Sequence, residues 1–142
     1  MRIVIQTIDL RYALDKKALS SLVRKVLAGE SASGWGLDII YCRDQEMVAL
    51  NRQFMRKNIS TDVLSFDLRD SLEPNYLGEI YVNLQMARRQ AARFKVSYIE
   101  EVRRLTVHGV LHLLGYRDNT IEGKARMWNR QEGYLFNGKK RR

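Results

Sequence analysis

Hydrophobic spacing along the chain changes period several times, and each change marks an element. Ile3, Ile5 and Ile8 among polar neighbours predict a first strand. Ala18, Leu19, Leu22, Val23 and Val26 form one helical stripe, which Asp15 opens and which runs to about Leu27. Apolar runs at 37–41, 63–66 and 78–83 predict three further strands. Between the first two of these, a short helix capped by Asp44 is expected to carry Met47, Val48, Leu50 and Phe54 inward. Residues 84–94 read as a basic amphipathic helix. Ser97 and Glu100 have the spacing of a capping box, opening a helix that continues through His112. The second half of that helix is apolar almost all round, which predicts burial at the centre of the molecule. A last helix at about 120–136 brings Met127 and Trp128 within reach of the core. The order β-α-β-α-β-β-α-α-α predicts an α+β fold, one mixed sheet covered by helices.

Composition narrows the class. A chain of 142 residues suits a single domain over 1–142 and buries roughly two thirds of its unfolded surface without disulfides. Cys42 is the only cysteine, which fits a reducing compartment, and its apolar neighbours make it a small buried hydrophobe. Gln6, Thr7 and Asp9 interrupt the apolar start before a signal sequence develops. No run approaches the ~20 residues that span a bilayer, so a soluble, cytoplasmic protein with no membrane partner is expected.

The formal net charge of +9 points to a polyanionic partner. Arg88, Arg89, Arg93 and Lys95 cluster, Arg103 and Arg104 follow, and residues 139–142 form a basic tail expected to be disordered.

The candidate chemistry lies in residues 108–118. His108 and His112 are the only histidines, and four residues of helix put both rings on one face, about one turn apart. Gly115 offers a C-cap, and Asp118 follows the turn with a carboxylate. Three such ligands leave a fourth position for water. The competing reading is a pair of idle core histidines. Zinc proteases of the His-Glu-x-x-His type place a glutamate base after the first histidine; here that position is Gly109. In the polar loop at 56–62, Arg56 could present a guanidinium to phosphate, against the plainer reading of a surface arginine.

Two blocks give the chain a family resemblance: Asn51-x-x-Phe-Met-Arg-x-x-x-x-Thr-Asp-Val-Leu-Ser-Phe66 and His108-Gly-Val-Leu-His-Leu-Leu-Gly-Tyr116. Leu77-Gly-Glu-Ile80, Met127 and Glu132 also fall where similar proteins have them. The chain resembles, over essentially its whole length, the YbeY family of single-strand-specific endoribonucleases of rRNA maturation and ribosome quality control. The resemblance implies a four-stranded mixed sheet, about five helices, and a central buried helix bearing the metal site. It also implies one zinc ion on His108, His112 and a third ligand, with Arg56 facing it across a basic cleft. Arg88, Arg89 and Arg93 would track RNA, and the partners would be ribosomal RNA and the small ribosomal subunit or its assembly factors. Where the family usually continues Gly-Tyr-Asp-His, this chain has Gly115-Tyr116-Arg117-Asp118. Asp118 therefore stands in for a histidine, a competent zinc ligand expected to alter affinity or metal preference. The alternatives are a non-catalytic RNA-binding assembly factor with a structural or degenerate metal site, and a hydrolase of another substrate such as a peptide.

Overall fold

A computed structural model describes residues 2–8, 11–12 and 14–136. The basic tail at 139–142 lies outside them.

The elements follow the expected order: β1 (Ile3–Thr7), α1 (Lys16–Gly29), β2 (Gly36–Cys42), α2 (Asp44–Leu50), β3 (Val63–Asp67), β4 (Tyr76–Asn83), α3 (Leu84–Phe94), α4 (Tyr98–Leu113) and α5 (Ile121–Phe136). The four strands form one mixed sheet in the order β1-β2-β4-β3. β1, β2 and β4 run parallel, and β3 returns antiparallel to β4. Central β2 is buried along nearly its whole length, which is why its sequence is apolar at every position but Asp38 rather than alternating.

α4 is the hub. It packs on β3 and β4 and touches α1, α3 and α5. Its residues Val107, Val110, Leu111 and Leu113 are all buried. Thr106 donates to the Val102 carbonyl, so Tyr41 from β2 donates its hydroxyl to Thr106 Oγ1 at 2.7 Å and pins the helix to the sheet. Gly109 sits where α4 comes closest to the strands: an added Cβ would lie 2.6 Å from Ile80 Cγ2 and 3.1 Å from Val63 Cγ1. Ser65 Oγ closes the same contact by donating to the Gly109 carbonyl at 3.0 Å.

Three expectations are corrected. Phe54 is exposed, not inward, because α2 runs into a π-helical turn at Asn51–Met55. The wider turn rotates the stripe away from Phe54, whose ring instead meets Phe66 edge-on at 5.2 Å. Asp44 is the first residue of α2 rather than its cap; Arg43 holds that position. The Asp44 carboxylate accepts instead from Ser60, Asn83 and Arg89, tying the polar loop to the ends of β2 and β4. Trp128 is 52% exposed, while Met127 and Gln131 take the buried positions on α5. Cys42 is buried as expected, and burial pushes its thiol up to about 12.

Candidate metal centre

Two elements, α4 and the turn that follows it, place three ligand atoms. α4 contributes His108 and His112, whose Nε2 atoms lie 3.0 Å apart. The turn after α4 contributes Asp118, with Oδ2 at 3.4 Å from His112 Nε2 and 3.9 Å from His108 Nε2. A tetrahedral zinc with bonds of about 2.05 Å spaces its ligand atoms about 3.3 Å apart. The observed separations bracket that value, so the donor set fits one small divalent ion.

The turn is built to hold Asp118 in place. Gly115 adopts a positive φ of 106°, and the Tyr116 amide returns to the Leu111 carbonyl at 3.0 Å. The Tyr116 hydroxyl donates to Glu30 Oε1 at 2.7 Å, anchoring the turn to the end of α1. Burial pushes the Glu30 carboxyl up, but hydrogen bonds from Tyr134, Tyr116 and Arg130 outweigh it and keep the group ionised. Thr120 Oγ1 then accepts from the Gly123 amide and starts α5.

A buried relay orients His108. Arg104 Nε donates to Glu132 Oε2 at 2.9 Å, and that oxygen also accepts from the Gln131 amide nitrogen at 3.1 Å. Gln131 Oε1 is thereby turned to His108 Nδ1 at 2.8 Å. An oxygen can only accept, so Nδ1 carries the proton and Nε2 offers its lone pair to the site. His112 is held neutral, its pKa lowered first by burial and then by His108, against the opposing pull of Asp118. Neutral imidazole is the form that binds metal. Replacing Gln131 with leucine is expected to weaken zinc binding roughly 10- to 100-fold, measured by calorimetry, with the fold retained.

The site opens into a cavity of about 500 Å³ between α4, β3 and the turn. Ser65 and Asp62 line it, as do two arginines, Arg69 and Arg117. Arg69 is held by Asp67 in a bidentate pair. Arg56 lines neither this cavity nor the adjoining cleft between α3 and α5. It occupies the left-handed end of the π-helical turn, with φ of 55°, in a loop that buried Asn51 clasps through the Ile59 carbonyl. Of the α3 arginines, Arg88 lies over the rings of Tyr12 and Tyr98, Arg89 is paired with Asp44, and Arg93 is exposed. None of the three lines the histidine cavity. Sequence reasoning missed Arg69, Gln131 and Asp62. Only Asp62 had a local signal, as the polar residue at the entry to β3.

The comparisons with known proteins agree with one another. The sequence model of a family described as Endoribonuclease YbeY matches residues 5–138. A Chlorobium phaeovibrioides protein named Endoribonuclease YbeY is 38% identical over 125 residues, 88% of this chain and 83% of that protein. One of the same name from Chlorobaculum tepidum is 33% identical over 123 residues, 87% of this chain and 88% of that protein. The solution structure of TM1509 from Thermotoga maritima superposes with a TM-score of 0.65 at 25% identity, covering 94% of this chain and 87% of that one.

Proposed function

The chain belongs to the endoribonuclease YbeY family, and from that premise we propose that it is a zinc-dependent endoribonuclease acting on single-stranded RNA, ribosomal RNA in particular. The observation that carries this reading is the convergence of His108, His112 and Asp118 on the wall of an open cavity, at the separations one ion requires. A zinc ion held there supplies a Lewis acid for a phosphoryl oxygen and lowers the pKa of water.

The chain's own residues do the rest. His108 is fixed in one tautomer by Gln131, and Asp118 adds a negative charge to the ligand set. Arg69 and Arg117 face the cavity, where a phosphodiester brings negative charge. The Arg56 backbone amide donates to the Asn51 carbonyl, but its side chain makes no hydrogen bond or ion pair among the described residues, which leaves its planar guanidinium for a phosphate of the bound chain. Arg88 and Arg93 extend the basic surface along α3, and Arg89 adds charge while paired to Asp44. The same surface suits ribosomal RNA within the small subunit or its assembly intermediates, in the cytoplasm. No helix among the described residues is long and apolar enough to cross a membrane.

Gly109 argues against a peptide substrate in a second way. A glutamate there would have to occupy space filled by Ile80 and Val63, so the base of a histidine-helix protease has no room. The Arg117-Asp118 departure instead favours, as a second reading, an RNA-binding assembly factor whose metal is structural.

Cleavage of a labelled single-stranded RNA separates the two. The enzyme reading expects cleavage to stop on chelation and return with zinc. Arg56→Ala is expected to lower kcat roughly 10²- to 10³-fold. RNA binding that persists with no cleavage under restored zinc would establish the assembly factor instead.

A further inference from the structure

α3 and α5 each pack on α4 and scarcely on each other, leaving a cleft of about 820 Å³ with α4 as its floor. Small-molecule sites run to roughly 300–1,000 Å³, so the space is that of a binding site. Asp62, His108 and Asp118 line both this cleft and the histidine cavity. The two spaces therefore adjoin, within reach of neighbouring nucleotides of one chain.

The cleft walls carry large aromatic rings in water. Phe94 at the end of α3 is 57% exposed, and Trp128 on α5 is 52% exposed. Folding gains little from leaving either there. The Arg104 guanidinium lies 5.9 Å from the centre of the Trp128 ring, so one side of the indole is supported from the floor. Leu105 and Met127 add apolar surface. Gln90 and Asp62 meet only through a long 3.3 Å hydrogen bond, leaving donors and acceptors for a planar polar edge. Arg104 is neutralised by three glutamates, so among the described residues Lys124 is the one lining cation without such a cage. The lining suits a base rather than a phosphate.

We propose that this cleft is a nucleobase subsite, which takes the base next to the phosphate bound at His108 and His112 and stacks it on Trp128 and Phe94. Gln90 and Asp62 meet the edge of that base. The inference rests on the RNA reading above and adds the part of the substrate that the metal site does not touch. Stacking on aromatic side chains tolerates any base and changes affinity roughly 5- to 150-fold per base.

The test uses the full chain stripped of metal, so that binding is read without cleavage. Fluorescence anisotropy would compare a labelled single-stranded oligoribonucleotide with an abasic ribose-phosphate chain of equal length and charge. Wild type is expected to prefer the base-bearing chain at least about fivefold. Trp128→Leu should erase that preference and leave abasic binding unchanged, while Trp128→Tyr, which keeps a stacking face, should restore most of it. Equal affinity of wild type for the two chains would overturn the subsite, the cleft then serving another partner such as an apolar peptide. So would a Trp128→Leu variant that keeps the preference, even if zinc-dependent cleavage stands. Base-dependent binding through Trp128, without cleavage under any divalent ion, would uphold the subsite and overturn the nuclease reading.

Discussion

His112→Ala is expected to abolish stable zinc binding and to lower RNA cleavage on the order of 10³-fold or more, with little loss of fold stability. The rate figure follows from the several kcal/mol a Lewis acid contributes to a phosphoryl-transfer transition state, at ~1.4 kcal/mol per factor of ten. His112 is the ligand nearest to both others, at 3.0 Å from His108 and 3.4 Å from Asp118, so its removal leaves the remaining pair at the widest separation of the three. Stability should hold because the ring is only half-buried and faces the cavity. Without an ion, its main partner is another imidazole whose tautomer Gln131 already fixes. Zinc content by elemental analysis, single-turnover cleavage and a thermal melt check the three parts. Asp118→Ala should cost less than His112→Ala, since its carboxylate stands on an exposed turn where water can replace it. Asp118→His should keep metal binding. A variant that loses zinc yet cleaves at the wild-type rate would detach the chemistry from this site.

What could be read from the sequence was what is local along the chain. Two histidines four apart on a capped helix define a face before any tertiary structure exists, and a glycine after that helix announces the turn that delivers Asp118. The apolar surround of the pair announced that α4 would be central. The misplacements came where local and long-range demands competed. Phe54 fits the α2 stripe, but the π-helical turn at Asn51–Met55 inserts extra backbone and sends the ring to the surface. Asp44 has the preferences of a helix cap, yet its carboxylate is taken by Arg89, Ser60 and Asn83, residues 16 to 45 positions away. That environment holds the Asp44 carboxyl far below the usual carboxylate range, with the Arg89 hydrogen bonds the largest cause. Gln131 and Arg69 had no signal at all, because each matters through a partner or a cavity wall that only the folded sheet and helices bring together. Gly109 shows the reverse case: its missing side chain excluded a glutamate base on sequence, and the close approach of Ile80 gives the reason it is small.

Arg104→Met is the substitution expected to cost most stability, about 3–5 kcal/mol and roughly a 10–15 °C fall in Tm. The guanidinium is 8% exposed and meets Glu100, Glu101 and Glu132 at 3.1, 3.2 and 2.9 Å. A methionine fills most of the volume but removes the cation from beside Glu101, which is almost fully buried. The penalty is the stranded charge rather than the lost pair, so it should depend on pH. Burial already holds the Glu101 carboxyl above its ordinary range with Arg104 beside it, and removal of the cation raises it further. An acid whose folded pKa exceeds its unfolded one costs stability above that pKa, and the cost disappears below the unfolded value. The deficit should therefore be full above the folded pKa of Glu101 and shrink as pH falls through it towards the usual carboxylate range. Fading of the wild-type ion pairs acts in the same direction. Chemical denaturation of both proteins at neutral and mildly acidic pH measures this, and a deficit that grows on acidification would refute it. The same variant should bind zinc more weakly, because Glu132 loses the cation that holds it against Gln131, and Gln131 sets the proton on His108. The loss should be smaller than in Gln131→Leu, where the acceptor itself is gone. The ionic cluster beneath the cleft thus serves stability and metal binding through one connected set of hydrogen bonds, which explains a buried arginine among three glutamates one helical turn from the ligands.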